Sequence, residues 1–512
     1  MKQRLCTGLI SPSDYLISLL DSIGIWYEEI DFKKDLSKNY SVIILEKVNL
    51  NSSQQTKVND FLRNNGSLLE ISTKPYFYSD ELTKSYSKTI FNNNSESGFN
   101  RVAPIDIYSH WASAKSSSTL SGLVGFQKTE NSNYQNVCFL GLDINSLPKA
   151  TSYTRKRFYS PSGLFPDEIV NKVSRDSLSD LIELCIKKLL YARNLPFIKK
   201  WTSPKPEPVF GFRVDSDFGS KKSLDSIYNL LSDFGIKATW FLHVQAHENY
   251  LEHLKTFGEQ ELALHGYNHG YSGSIAKIQE NIRTGLSVLE SSGIHPSGFC
   301  APYGIWNFGL QEVLSEFNFN YTSEFTSGYD SVPFVVPKST NLQIPIHPIC
   351  TGSMNRKGYS SDQMKEYFLS VYERKKSFYK PIFFYHHPMQ KGLDIFGDIF
   401  KKVQADGLTN LTFNEYASFW KKRQDQQISI YSEGQKIFIE SNDLELYLYI
   451  SNTNNEFDLV SSKTQVLEKS VYSTFKYDTP SLPSNSEIEQ IHQNRFQLYK
   501  TNILDWRNRQ RL

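Results

Sequence analysis

Apolar residues recur every three or four positions through "DYLISLLDSIG", which begins at Asp14, then gather into short runs in "IWYEEIDF" and "YSVIILE". The exchange repeats in "SSQQTKVNDFLRNNG" and "SLLEIS", with glycine or asparagine at each change. A period near 3.6 alternating with short apolar runs predicts βα units on an open parallel sheet. Further on, "NVCFLGLDI" predicts another strand and "LSDLIELCIKKLLYARN" an amphipathic helix. Residues 1–200 are therefore expected to form one α/β domain.

Four prolines between Leu195 and Phe210 break the pattern and favour extended chain. A second series follows. Strands are predicted at "VFGFRVD", "KATWFLHV", "ELALH" and "PSGFCAPYG", with helices at "SLDSIYNLLSDFG", "NYLEHLKTFG" and "IAKIQENIRTGLSVLESSG". The series continues through "QEVLSEFNF", "LQIPIHP", "SSDQMKEYFLSVYERKKSFYK" and "PIFFYHHP", closing near "TFNEYASFWKKR". So many βα units over 205–424 predict a barrel whose C-terminal strand ends carry the site. From 425 to 512 the pattern becomes strand-like alternation in "QISIYS", "KIFIES" and "LELYLYIS", predicting a small antiparallel β unit with a helical or frayed tail.

Length and charge narrow the partners. A chain of 512 residues suggests two to four domains at ~150 residues each. Lys and Arg total 56 against 54 Asp and Glu, a formal charge of +2, so no global field recruits nucleic acid or an acidic membrane. The five cysteines, Cys6, Cys138, Cys185, Cys300 and Cys350, are scattered with no C-x-x-C, which fits a reducing compartment. The N-terminus lacks an uninterrupted apolar signal core, and no eighteen apolar residues run together, so a cytoplasmic protein without a transmembrane segment is expected. Tyr (30) and Phe (34) are abundant; cores account for most of them, and sugar-stacking platforms are the alternative.

Chemistry concentrates at the strand ends of the central unit. Asp215 and Asp217 close the strand in "FRVDSDFG", and His265 and His269 in "LALHGYNHGYSG" follow another. Parallel strands in a barrel bring such ends together, and two imidazoles with one carboxylate make a hydrolytic metal site with positions left for water. The i, i+2 spacing lets one aspartate bind metal while its neighbour accepts a proton. Each element alone is weak, because D-x-D and H-x-x-x-H arise by chance. A competing pair, His243 and His247 in "TWFLHVQAHENY", has no neighbouring carboxylate before Glu248, and a packed or solvated role suits it better.

In motif order as well as content, the central unit resembles the NodB-homology polysaccharide deacetylases, carbohydrate esterase family four. Their T-F-D-D motif is similar to "FRVDSD", with a one-residue insertion. H-x-x-x-H is similar to "HGYNH", R-x-P-Y to "CAPYG", and the closing L-x-H histidine to His386 or His387 of "FYHHP". The resemblance covers Pro208–Trp420. It implies a distorted (β/α) barrel, a divalent metal (Zn²⁺ suits the donors) held by Asp217, His265 and His269, and Asp215 as general base. It also implies that the Tyr303 backbone N–H holds an oxyanion and that a histidine of "HHP", His387 ahead of His386, protonates the leaving amine.

Two departures stand out. Cys300 occupies the place of the family's arginine, so another cation, an Arg or Lys from a neighbouring loop, is expected to orient Asp215. The aspartate-rich fourth motif is not evident, although Glu324 in "YTSEF" is close by. The expected activity is removal of an acetyl group from an N-acetylated saccharide in bacterial surface-glycan metabolism. Rival readings are a carbohydrate-binding barrel without turnover, for which Cys300 is the best ground, and another C–N hydrolase acting on a formamide or cyclic amide. The first domain resembles a flavodoxin-like or glutamine-amidotransferase-like sheet. None of its three cysteines sits in a glycine-flanked elbow, so an accessory role is expected.

Overall fold

The computed structural model describes residues 3–46, 50–91, 99, 102, 104–130, 132–149, 151–270, 274–442, 445–453, 455–468, 472–477, 487, 491 and 503. The chain is a mixed α/β protein dividing into two compact units: Met1–Pro148, Val173–Pro206 and Trp420–Asp478 in the first, Lys149–Lys172, Glu207–Phe419 and Thr479–Leu512 in the second. The tail expected to be helical or frayed lies almost wholly outside the described residues.

In the first unit the predicted βα exchange is realised element by element. Helix Asp14–Ile23 begins where the Ser13 side chain accepts the Leu16 N–H, and ends at Gly24, whose φ of 93° suits a residue without Cβ. It buries Leu16, Leu19, Leu20 and Ile23, the i, i+3, i+4, i+7 face. An Asn51–Gln54 capping box starts helix Ser52–Arg63. Strands Tyr27–Glu29, Thr7–Ile10, Val42–Leu45, Ser67–Ile71 and Val137–Leu140 lie side by side in that order, all parallel, and Val124–Gln127 adds an antiparallel edge. Val42–Leu45 and Ser67–Ile71 are buried throughout, which is why they read as continuous apolar runs.

The strands between 428 and 476, expected to form a unit of their own, are completed by chain from far upstream. Ile428–Glu433 pairs with Gln3–Arg4, and Tyr447–Ser451 pairs with Phe197–Lys200 from the proline-rich stretch. Ile198, Ile430, Ile437, Ile439, Leu448 and Ile450 make the shared core of these two sheets. Arg423, buried in the same unit, donates to the carbonyls of Trp201 (2.7 Å), Asp21 (3.0 Å), Lys200 (3.1 Å) and Ser22 (3.2 Å), tying three stretches together.

The second unit holds the other parallel sheet. Its strands are β1 (Val209–Asp215), β2 (Ala238–Leu242), β3 (Glu261–Leu264), β4 (Gly298–Phe299), β5 (Tyr321–Thr322), β6 (Phe334–Val335), β7 (Leu342–Gln343), β8 (Ile382–His386) and β9 (Thr409–Asn410). The order is β6-β7-β5-β4-β3-β2-β1-β8, with β9 also on β1 and every pairing parallel except β6–β7. Beyond β7, Ile344 N donates to Thr322 O and His347 N to Phe383 O, so the 344–347 segment spans from β5 to β8 by single backbone bonds. Helices Lys221–Asp233, Ile275–Ser291 and Ser361–Ser377 follow the predicted pattern, and Leu393–Ala405 adds a helix that the sequence reading did not single out.

Along β1 the side chains alternate. Phe212 packs edge-on against Phe396 and Phe400 of helix Leu393–Ala405, which puts Gly211, Arg213 and Asp215 on the opposite face. Two expected elements shrink: "NYLEHLKTFG" forms only short turns at Glu248–Tyr250 and Leu251–Leu254, and "PSGFCAPYG" pairs at just two residues before Cys300 leaves the ladder. The hairpin Tyr153–Arg157/Asp167–Asn171, inside the stretch assigned by sequence to the first domain, belongs to the second unit, where Asn171 N donates to Phe325 O.

Removing the Arg423 fork leaves several buried carbonyls without a donor. Arg423→Met is expected to lower the first unit's unfolding free energy by about 3 kcal/mol, read as an earlier transition in urea; an unshifted transition would refute the bracing role.

Candidate functional site

At the C-terminal ends of β1, β3 and β8 the sequence motifs meet. β1 ends at Asp215, and the chain turns at Ser216–Gly219, closed by Gly219 N donating to Ser216 O at 2.8 Å. Asp217 sits in this turn at φ 40°, a left-handed conformation that a non-glycine residue adopts only under strain. A Cβ on Gly219 would stand 2.8 Å from the Pro388 ring, so glycine lets the turn close against the segment carrying His387. His265 follows β3 directly, and Gly266 at φ 88° turns the chain toward His269.

Asp217, His265 and His269 offer donor atoms that all lie within 4.8 Å of one another, the one such metal-competent group among the described residues. Nε2 of His269 stands 3.0 Å, and Nε2 of His265 3.5 Å, from Asp217 Oδ1. That oxygen is buried without a hydrogen bond. His265 Nδ1 donates to the Cys300 carbonyl at 2.7 Å, which fixes the tautomer and leaves the Nε2 lone pair aimed at the group. Two imidazoles, one carboxylate and an orphaned buried oxygen suit a divalent transition metal. The competing pair, His243 and His247, is absent from the group.

Asp215 is set apart by a different partner. Arg213 donates from Nε to Asp215 Oδ1 at 2.5 Å and from Nη2 to Oδ2 at 2.6 Å, a two-pronged grip. The guanidinium also reaches Cys300 Sγ (2.7 Å) and Ser323 O (2.6 Å), and lies over the Phe241 and Tyr385 rings. The cation expected from a neighbouring loop thus comes from β1 itself, two residues before the aspartate it holds. Burial pushes the Asp215 carboxyl up, but Arg213, with His265 and His387, holds it below the ordinary carboxylate range.

His387 faces both aspartates, its Nε2 3.8 Å from Asp215 Oδ2 and 3.7 Å from Asp217 Oδ2. Burial works against its charge, yet Asp217, Cys350 and Asp215 together raise it to about 10. Cys350 responds in kind: burial disfavours the thiolate, but the adjacent His387 brings it down to about 6. Charge added at Asp217 would weaken that carboxylate's pull and return His387 toward its usual range. His386 points elsewhere, toward Thr351 Oγ1 (3.2 Å) and the Phe396 ring, and burial depresses it to about 3. Sequence reasoning missed Arg213 and Cys350.

Tyr303 lies at φ 62° in the Cys300–Gly304 loop, its ring edge-on to His269 at 4.9 Å. Glu324 braces this loop, accepting from Ala301 N and Gln343 Nε2 at 2.9 Å each, and burial raises it to about 7. At the rim Phe218 and Met389 are half or more exposed.

Residues 208–322 match the polysaccharide deacetylase family model. The motif resemblance is borne out over that span, which contains Asp215, Asp217, His265, His269, Cys300 and Tyr303. No curated protein sequence matches the chain. Among solved structures, a putative polysaccharide deacetylase from Mycobacterium smegmatis aligns at 16% identity over 44% of this chain and 94% of its own, TM-score 0.38. A probable polysaccharide deacetylase from Pseudomonas aeruginosa aligns at 16% over 43% and 95%, TM-score 0.36. The peptidoglycan deacetylase PdaC from Bacillus subtilis aligns at 15% over 43% and 95%, TM-score 0.31.

The Arg213–Asp215 grip makes a signed prediction. Asp215 contributes stability that is complete above the unfolded value of about 3.9 and is lost as pH falls through its lower folded value. Arg213→Met strands a buried carboxylate and should cost about 3–5 kcal/mol near pH 7, with a smaller cost near pH 4, where Asp215 takes up a proton. Urea unfolding at the two pH values checks this, and an equal loss at both would show that the pair's charge is not what matters.

Proposed function

We propose that the second unit is a metal-dependent hydrolase that removes the acetyl group from an N-acetylated sugar. One observation carries the reading: a two-imidazole, one-carboxylate group with Asp215 beside it, all inside the span that matches the polysaccharide deacetylase family, and with His387 brought to it from beyond that span. Asp217, His265 and His269 would hold the cation, Zn²⁺ being the ion best suited to these donors. When bound, the ion supplies Lewis acidity, acidifying water and polarising the amide carbonyl.

The chain's own residues do the rest. Asp215 takes the proton from the attacking water; Arg213 keeps it anionic and aimed, at the expense of basicity, so it works best on a water already acidified. The Tyr303 backbone N–H, in a loop braced by Glu324, is the donor assigned to the oxygen on which charge develops. His387, between the two aspartates, carries a proton to the leaving nitrogen. His386, turned toward Thr351, has no such duty. The exposed Phe218 ring beside Asp217 offers a face for a sugar.

Cys300 was the best ground for a barrel without turnover. Arg213 supplies the guanidinium that Cys300 lacks, which weighs for the enzyme. The 344–347 seam supports a distorted barrel, and the first unit's parallel order supports a flavodoxin-like accessory domain. We place the substrate in bacterial surface-glycan metabolism and the protein in the cytoplasm, readings supported by the deacetylase family match and by five free thiols respectively.

A panel of N-acetyl sugars assayed for acetate, with and without chelator, tests the proposal. Metal-loaded protein should release acetate and chelated protein should not. Asp215→Asn should keep its metal and lose turnover by about 10²–10⁴-fold, and His265→Ala should lose metal. No acetate from any sugar, or undiminished release after chelation, would sink the reading.

A further inference from the structure

His243 and His247 stand outside the metal-competent group, yet both are fully buried and both bond to the turn that carries Asp217. His243 Nδ1 lies 2.8 Å from the Asp217 backbone carbonyl, which can only accept, so Nδ1 carries the hydrogen. Its Nε2 makes no hydrogen bond, so the ring's polar contact is directed wholly at that carbonyl. The His243 backbone N–H donates to Ser216 Oγ at 2.9 Å.

A second line of bonds runs through His247. Tyr250 Oη donates to Gly219 O at 2.8 Å, and it therefore accepts from His247 Nδ1, also at 2.8 Å. His247 Nε2 is left as an acceptor and takes the Ser216 hydroxyl at 2.8 Å. Every hydrogen in the chain has one place to go. The carbonyls of Ser216, Asp217 and Gly219 are taken by Gly219 N, His243 and Tyr250. These bonds hold the turn at both ends and in the middle, and its second residue is Asp217 at φ 40°. The His243 ring also meets Phe218 edge-on at 4.8 Å.

We propose that His243 and His247 are positioning residues: with Ser216 and Tyr250 they lock the strained Ser216–Gly219 turn so that the Asp217 carboxylate is presented to a divalent cation before it arrives. This rests on the reading of Asp217, His265 and His269 as ligands. The pair spaced like a metal motif thus serves the site from behind, through backbone carbonyls. Without it the turn relaxes away from positive φ, and the carboxylate swings from the two imidazoles.

The test measures Zn²⁺ affinity of the full-length, metal-free chain by competition with a chromogenic chelator, alongside urea unfolding of the same metal-free proteins. His243→Leu removes the donor and should weaken binding by about 10–100-fold. His243→Asn, whose amide N–H can stand where Nδ1 stood, should stay within about threefold. Tyr250→Phe deletes a single hydroxyl and should weaken binding by about three- to tenfold in a chain that still folds. Wild-type affinity in both His243→Leu and Tyr250→Phe overturns the proposal, as does equal weakening in His243→Asn and His243→Leu. Should His243→Leu fail to fold, wild-type affinity in Tyr250→Phe alone overturns it. Zn²⁺ retained by His265→Ala is a different result and overturns the ligand reading itself.

Discussion

A guanidinium with no exposed surface and a carboxylate with almost none face each other along one strand, and the site is arranged around them. Burying such a pair is expensive, and an apolar replacement of similar volume is often no less stable. What Arg213 provides is a fixed state for Asp215: ionised, and gripped at both oxygens. Because the two residues share a face of β1 two positions apart, strand geometry sets the orientation and no loop need move to create it. Phe241 and Tyr385, on the flanking strands, cover the guanidinium, and Ser323 and Cys300 take its remaining donors. Five parallel strands, β1, β2, β4, β5 and β8, or their immediate ends, thus converge on one charge.

That charge governs its neighbours. Asp215 and Asp217 stand two residues apart, one neutralised by Arg213 and the other facing only imidazoles. The surplus negative charge draws a proton onto His387, and Cys350 adds to the pull. Charge at this site is therefore a property of the set, and a cation at Asp217 would redistribute it. The difference between the two aspartates is environmental: same residue type, two positions apart, different partners.

Much of this was legible in the sequence. Apolar periodicity gave most of the βα order of both parallel sheets, because each element is built from local pattern, but it passed over strand Thr7–Ile10 and helix Leu393–Ala405. Strand ends located Asp215, Asp217, His265 and His269, because parallel strands share a direction. Arg213 was legible too: it stands in "FRVDSD" on the same face as Asp215, but the motif pattern drew attention to Cys300, 87 positions from Arg213 in sequence. Cys350 was not, since nothing local ties it to His387. Gln3–Arg4 and Phe197–Lys200 pair with strands beyond residue 427, and the Tyr153–Asn171 hairpin joins the second unit, through contacts that no windowed pattern contains. Strand β4 shrinks to two residues because Cys300 turns inward to Arg213, where the apolar run suggested a longer ladder.

Strain and satisfaction divide between layers. Asp217 at φ 40° and Tyr303 at φ 62° are non-glycine residues in conformations that glycine would adopt more easily, and both belong to the motif loops. Such conformations persist only where surrounding bonds over-determine them. Glu324 and Gln343 brace the loop of Tyr303, while His243, His247 and Tyr250 brace the turn of Asp217. The Cys300 carbonyl completes the set by orienting His265. Cys300 therefore serves the site through both ends: its carbonyl sets an imidazole and its sulfur receives the guanidinium. A position that departs from the family motif has kept two structural duties, and neither requires the thiol to react.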